Sequence, residues 1–509
     1  MKKRTLYAAA FFILASALCR PVAAGENKYG DFREETIYFV MTDRFVDGDP
    51  DNDNIYGDEY VPGNLRYYQG GDFRGLIDNL DYIKNMGFTA IWITPPVKQP
   101  EGRYVNSSGT YDAAGYHGYW GYDFSKIDPH LESHGATYQD LINAVHAKGM
   151  KIIQDVVLNH GHGGDVAHTV KWYDARGQVK GLGRTYDYFK DSDAWFNHGG
   201  QTLADLLDFN DSNPRVQAWM DKIYGKYQKM GVDAFRIDTV MWVSKDFLRG
   251  FVNAMHKRKK DFFMFGEVWS NDNFDMLASY TKLVEGDSLV SGMSVLDMPL
   301  SSMGGYGMLE RVFKGGDFRD ADSVLANDYK YKNATFLVTY MDNHDKPRFN
   351  SPDSPAYEQQ YIDALNFYFT VRGIPCVYYG TEAQMIGGED PDNRAVLGPD
   401  GIKRAEAGPI YGLLKKLNGI RRNNEVLQKG KQTSVSVTRD TYVFRRDYKG
   451  QTVFVFLNKG EKPSKLTAKV TPGAYNDLYN GGQLVFGGTD ADVTVMPHGA
   501  VILYSPVED

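Results

Sequence analysis

The run Gly231-Val-Asp-Ala-Phe-Arg-Ile-Asp238, the segment Phe265-Gly-Glu267-Val-Trp269 and the tetrapeptide Asp342-Asn-His344-Asp345 each set an acid at the end of a short apolar stretch. Acids at the tips of separate strands suit the cleavage of a bond between sugars, in which one carboxylate attacks carbon and one carboxylic acid protonates the departing oxygen. Asp238 and Glu267 fit those two tasks. Arg236 lies two residues before Asp238, and the period of a strand aims both side chains the same way. Its fixed charge favours an ionised Asp238. Glu267 has to start protonated, which requires burial or neighbouring negative charge. A single acid at a strand end is as readily a structural ion pair or a helix cap; the set of three is what argues for chemistry.

These acids need a scaffold that ends several strands at one place. Short apolar runs recur at Ile37 to Val40, Ala90 to Thr94, Lys151 to Val157, Val232 to Ile237, Phe262 to Phe265, Val295 to Leu296, Ala334 to Tyr340 and Ile374 to Tyr379. Most are separated by stretches of helical periodicity, such as Tyr138 to Lys148 and Val216 to Met230. Continuous apolar strands alternating with amphipathic helices predict a parallel sheet buried on both faces. Eight such units predict an α/β fold, a closed (β/α)8 TIM barrel whose active site lies on the loops at the C-terminal ends of the strands. The acids fall at those ends. Between the third strand and the helix starting near Pro214 lies an insertion of roughly fifty residues, rich in Gly, Asp and aromatics and far longer than the usual connection. It is expected to form a small domain overhanging the site. After the helix Ile410 to Asn423 the pattern changes to alternating strands, as in Thr441 to Arg445 and Thr452 to Leu457, with a turn at Tyr448-Lys449-Gly450. The expected organisation is a leader at 1–24, a barrel over 25–158 and 212–427, an inserted domain at 159–211 and a C-terminal antiparallel β-sandwich at 428–509.

With 509 residues, 42% of them hydrophobic and 14% aromatic, the chain is long enough for a sizeable core. Its formal net charge of -8 argues against a nucleic-acid partner, which would call for a basic face. A neutral substrate suits it better, and a monomer is expected. Met1-Lys-Lys-Arg4, the apolar run Leu6 to Leu18 and the small residues Val22-Ala23-Ala24 form the three parts of an export signal, with cleavage after Ala24 and a secreted or periplasmic product. The apolar run is too short to span a bilayer. The alternative is a cell-envelope lipoprotein attached through Cys19, although Leu18 before it is bulky for such a site. Cys376 is the other cysteine, so the mature chain forms no internal disulfide, and its stability has to come from packing and bound metal.

With Asp155-Val-Val-Leu-Asn159-His160, Arg236-Ile-Asp238, Glu267-Val-Trp269 and Asn343-His344-Asp345 in this order, the chain resembles the α-amylase superfamily, glycoside hydrolase family 13. The likeness extends to the segments 87–96, 115–120 and 373–382 and covers nearly the whole mature chain. It implies an exported α-amylase, a retaining hydrolase of internal α-1,4-glucosidic bonds in starch or maltodextrin. Alternatives within the family are a cyclodextrin, pullulan or maltogenic hydrolase, or a transglycosylase. A non-catalytic sugar-binding protein is a further reading, against which the presence of all three acids and Arg236 argues. By the resemblance Asp238 is the nucleophile, Glu267 the general acid/base, and Asp345 the third acid that holds ring hydroxyls and favours the distorted sugar. The reaction is then a double displacement through a covalent glycosyl-enzyme. Its geometric mark is a separation of about 5 to 5.5 Å between the two carboxyl groups. The resemblance further implies that His160 and His344 bond hydroxyls of the sugar being cut and that Tyr119 stacks on the same ring, with Trp120 behind it and His117 assisting. The segment Asp390-Pro-Asp-Asn-Arg394 looks like one that grips sugars farther along the chain in cyclodextrin glucanotransferases and neopullulanases, and it is equally good as a turn.

Asn159 and Asp208 match the family's calcium ligands joining the inserted domain to the barrel, with a backbone carbonyl contributed at Trp242. Calcium favours this mixture of carboxylate, amide and backbone oxygens. A second cluster, Asp47, Asp49, Asn52 and Asp53, resembles the extra calcium loop of cyclodextrin glucanotransferases, completed by Gly70 and Asp72. The alternative there is a solvated acidic loop, in which the crowded charges would repel one another. One departure stands out. Many family members follow the nucleophile with a Lys-His pair on the leaving-group side, and this chain has Met241-Trp242. Trp242 offers stacking on the leaving sugar instead. The chain also shows no counterpart of the further C-terminal domains of cyclodextrin glucanotransferases, which argues against cyclisation.

Overall fold

The computed structural model describes residues 31–105, 109–162, 195–197, 203, 206–284, 293–301 and 307–505. The leader, Cys19 and most of the expected inserted domain lie outside them. No helix among the described residues is long and apolar enough to cross a membrane.

Eight parallel strands form one sheet: β1 (Ile37–Val40), β2 (Ala90–Ile93), β3 (Lys151–Val157), β4 (Ala234–Asp238), β5 (Phe263–Gly266), β6 (Ser294–Val295), β7 (Val338–Tyr340) and β8 (Ile374–Tyr378). Their order, β6-β5-β4-β3-β2-β1-β8-β7, is that of a barrel, and a parallel bridge from Leu296 to Val338 joins β6 to β7 and closes it. Every residue of β1, β2, β4, β5 and β8 is buried, as expected of strands covered by helices outside and by side chains inside. The apolar run expected to begin a strand at Ala334 instead opens with a 3-10 turn, Ala334–Phe336. Asn333 causes this: its side chain accepts from the Thr335 N–H at 3.1 Å and caps the turn, so the strand waits until Val338.

The helices that cover β3 and β4 start and stop on local chemistry. Thr137 and Asp140 make a reciprocal capping box at the start of the helix Tyr138–Ala147. Asn213 caps the helix Pro214–Met230, where Pro occupies the first turn and Gly231, at φ 120, ends it. Ser244 caps the helix Lys245–Arg258. At the base of the insertion His160–Gly161 pairs antiparallel with Leu207–Asp208, which brings both ends of the inserted segment back to the mouth of β3.

After the barrel, β9 (Lys431–Val437), β10 (Thr441–Tyr448), β11 (Gln451–Asn458), β12 (Ser464–Lys469), β13 (Gly473–Asp477), β14 (Gln483–Phe486), β15 (Asp490–Val495) and β16 (Gly499–Tyr504) build an unequal antiparallel sandwich. One layer runs β9-β10-β11-β16-β13-β14, the other is the pair β12-β15, and Phe454, Phe456, Val493 and Leu503 pack in the core between them. The β10–β11 hairpin turns at Lys449 and Gly450, both at positive φ (49° and 79°), as a two-residue turn of matching twist requires.

Candidate active site

The C-terminal ends of β3, β4 and β5 converge on Arg236. In the β3–β4 ladder Arg236 is paired with Asp155, and its Nη1 donates to both Asp155 oxygens at 3.0 Å and to Asp238 Oδ1 at 2.7 Å. Its Nη2 stands 2.9 Å from Glu267 Oε1. That last approach lies off the N–H axis, so it is an ionic contact that leaves Glu267 Oε1 without a hydrogen bond. Three carboxylates thus share one guanidinium that is completely buried. Asp155 is held from its other side by the Tyr119 hydroxyl at 2.8 Å and Trp92 Nε1 at 3.2 Å.

Glu267 directly follows β5. Burial raises its pKa to about 8, Asp238 and Asp345 push the same way, and Arg236 and a Trp269 hydrogen bond oppose them. The carboxyl therefore carries a proton at neutral pH, the state a general acid needs. Asp345 is also raised by burial and shares a hydrogen bond with Glu267. His344 and Asp345 follow β7 on a loop that Arg394 ties down, with Nε on the His344 carbonyl at 3.0 Å and Nη2 3.6 Å from Asp345 Oδ1.

The other residues expected in the site lie on the loops beside these acids. His344 Nδ1 and His160 Nε2 are buried without a well-formed hydrogen bond, and burial lowers both imidazoles, so they stay neutral and able to meet hydroxyl groups. Tyr119 stacks parallel to His344 with ring centroids 5.1 Å apart. His117 is neutral through burial, accepts from the Tyr119 N–H at 3.0 Å and stands edge-on to Trp120. Trp120 continues outward to Tyr104 and Tyr111 in edge contacts. Arg394 is buried and engaged, bonding Asp390 at 3.0 Å and the Tyr116 hydroxyl at 3.2 Å, while Asp390 itself is half exposed. Met241, Trp242 and Trp269 stand on the rim, the two indoles 37% and 45% exposed. Sequence reasoning assigned no role to Asp155, although its place in the first motif was a signal. It also passed over Thr239, which touches both Asp238 and Glu267.

Two oxygen clusters lie away from the acids. The Asn159 amide oxygen faces the Trp242 carbonyl and Asp208 Oδ1; turned over, the amide nitrogen would reach them at 3.1 and 3.0 Å. As placed, its nitrogen lies 3.3 Å from His160 Nδ1, and three oxygens converge as a hard cation would require. In the second cluster Asp49 caps the turn Pro50–Asn52. Asp72 accepts from Gly75 N at 2.6 Å, from Gly48 N at 3.2 Å and from Asn52 Nδ2 at 3.3 Å. Asn52 Oδ1 and Asp53 Oδ1 are buried without a hydrogen bond. A Cβ on Gly70, at φ 91, would sit 2.5 Å from Asp53 Oδ1, so the close approach requires glycine. Burial raises Asp53 to about 6, with the Asp47 charge adding to it, and raises Asp72 to about 6 against the bonds from Gly75 and Asn52.

A closed eight-stranded barrel that gathers three acids and a buried arginine at the C-terminal ends of its strands defines a glycoside-active barrel enzyme. The family model "Alpha amylase, catalytic domain" matches residues 39–441. A cyclomaltodextrin glucanotransferase of Klebsiella oxytoca is 32% identical across 96% of this chain and 80% of its own length. A beta/alpha-amylase of Paenibacillus polymyxa is 32% identical across 94% of this chain but only 38% of its own length. Among solved structures, CldA, described as the first cyclomaltodextrin glucanotransferase with a three-domain ABC distribution, superposes with a TM-score of 0.79 at 30% identity, covering 92% of this chain and 99% of that one. An α-amylase of Geobacillus thermoleovorans, complexed with acarbose, gives 0.74 at 28% identity, over 93% and 98%. This chain belongs to the α-amylase superfamily, glycoside hydrolase family 13.

Proposed function

We propose that the chain is an exported retaining enzyme that cuts internal α-1,4 bonds of starch-like glucans by double displacement and passes the glycosyl group to water. Asp238 attacks the anomeric carbon, Glu267 delivers its proton to the departing oxygen, and Glu267 then activates the incoming water. Asp345, His160 and His344 hold the hydroxyls of the reacting sugar, and Tyr119 supports its ring. The observation that carries this reading is the shared guanidinium: Arg236 meets an acid poised to attack and an acid buried in its protonated state. The first products from soluble starch should keep the α configuration, and reversing that result by polarimetry or NMR would end the double-displacement reading.

A second reading, transfer to a sugar hydroxyl, is favoured by two observations. Exposed Trp242 and Trp269 flank the acids where a sugar acceptor could stack. CldA is described as a glucanotransferase with a three-domain ABC distribution, and this chain covers 99% of it, so the sequence argument against cyclisation falls away. Product analysis on starch, cyclodextrin and pullulan separates the readings: linear reducing fragments support hydrolysis, and cyclic or elongated glucans support transfer.

We also propose calcium at Asn159, Asp208 and the Trp242 carbonyl, and a second ion within Asp47, Asp49, Asn52, Asp53, Gly70 and Asp72. The Asn159 amide oxygen facing two other oxygens supports the first, and the buried Asn52 and Asp53 oxygens without a hydrogen bond support the second. The first ion would fix the base of the insertion against the loop after the nucleophile, and the second would neutralise crowded carboxylates.

A further inference from the structure

Thr239 follows Asp238 with φ 43 and ψ 43, the left-handed region that a β-branched residue avoids. The strained turn is pinned by the Glu267 N–H on the Ile237 carbonyl at 2.9 Å and by Val240 N–H on the Glu267 carbonyl at 3.1 Å. The side chain is buried. Glycine would adopt this backbone without strain, so the turn alone does not call for threonine. What threonine adds is a hydroxyl on the Asp238 carboxylate. Its Oγ1 donates to Asp238 Oδ2 at 3.2 Å and its N–H donates to Glu267 Oε2 at 3.2 Å. With Arg236 on Asp238 Oδ1, both oxygens of Asp238 accept a hydrogen bond.

We propose that Thr239 is a positioning residue whose hydroxyl sets the balance between formation and breakdown of the glycosyl-enzyme, a proposal that rests on Asp238 being the nucleophile. In the first step an Asp238 oxygen bonds to the anomeric carbon, the bond from that carbon to the departing sugar breaks, and the Glu267 proton passes to the departing oxygen. The carboxylate becomes a neutral ester. In the second step the incoming hydroxyl gives its proton to Glu267, its oxygen bonds to the anomeric carbon, and the ester bond breaks with its electron pair returning to Asp238. A donor bonds a carboxylate more strongly than an ester. The Thr239 hydroxyl therefore restrains the first step and speeds the second.

The test compares Thr239→Val, Thr239→Ala and Thr239→Ser with the unaltered protein. Stopped-flow release of nitrophenol from nitrophenyl α-maltotrioside gives the glycosylation rate. Decay of the adduct formed with a ring-fluorinated α-maltosyl fluoride, followed by mass spectrometry, gives the deglycosylation rate. With the hydroxyl removed, deglycosylation should slow about tenfold, the worth of one charge-assisted hydrogen bond, while glycosylation holds or rises. The serine variant should keep both rates. Valine and alanine lose the same hydroxyl in different shapes, so a folding defect in one leaves the other to decide. Equal loss of both rates, or a serine variant that behaves like valine, would overturn the proposal. A digest with no adduct on the Asp238 peptide of the unaltered protein would instead overturn the nucleophile assignment, and this proposal with it.

Discussion

At the scale of single residues the site is a problem in proton placement, solved by burial. Arg236 cannot deprotonate, so it offers a fixed positive charge to Asp155, Asp238 and Glu267 at once. Desolvation still outweighs that charge at Glu267, which is why its proton stays on to about pH 8. The sign follows directly. A general acid with a raised pKa is competent below that value and fails above it, so kcat/KM should fall on the alkaline side with an apparent pKa near 8. Asp345→Asn removes a negative neighbour and should move that limb to lower pH in the residual activity, measured on nitrophenyl α-maltotrioside. An unmoved limb would mean that another group titrates. Glu267→Gln cannot donate and should cost about 10² to 10⁴ in kcat on starch, with the fold intact by circular dichroism. The place of Arg236 beside Asp238 was legible from Arg236-Ile-Asp238 because a strand's two-residue period is local. That Asp155 shares it was not, because it depends on register between two strands far apart in sequence.

At the scale of elements the barrel's weak seam is β6–β7. β6 has two residues and meets β7 through the Leu296 to Val338 bridge and the Asp297 N–H on the Val338 carbonyl at 2.9 Å. The seam is reinforced from outside the ladder. The Asp297 carboxylate receives the Thr339 hydroxyl at 3.2 Å and the Arg372 guanidinium, and Arg372 Nε also donates to Asp328 at 2.8 Å. Arg372→Met would leave Asp297 charged and buried without its partner, a loss of about 3–5 kcal/mol. We expect a thermal midpoint lower by several degrees; a midpoint within a degree of the original would show that the seam does not depend on this pair. The other seams follow from continuous apolar runs, and those were readable directly, β1 and β3 to the residue. The reading failed at Ala334, where an asparagine cap competes with strand propensity over a single turn.

At the scale of the whole molecule the two oxygen clusters are where the proposed calcium would tie outer loops to the barrel, in a chain whose one described cysteine is buried and free. Without metal, Asp53 and Asp72 hold protons up to about pH 6, above the usual 3.8. At these two groups the folded chain then binds more protons than the unfolded one, so their contribution to stability should fall as pH rises from about 4 to 6 and then level off. With calcium the sign reverses. The ion needs the ionised carboxylates and releases their protons, so its contribution should grow over the same interval. Calcium at a hundredfold excess over its Kd adds about 2.7 kcal/mol per site. Thermal midpoints taken with chelator and with calcium should therefore diverge as pH rises. The substitution Asp53→Ala should remove the second cluster's share of the calcium effect, and Asp208→Ala the first cluster's. Should the chelated and calcium-loaded curves coincide across this range, the Asn159 amide is turned over as a plain hydrogen-bond donor and the acidic loop holds only protons. Agreement with calcium would mean that the barrel mouth and the loop after the nucleophile are tied by an ion, and chelation should then lower kcat before the barrel itself unfolds.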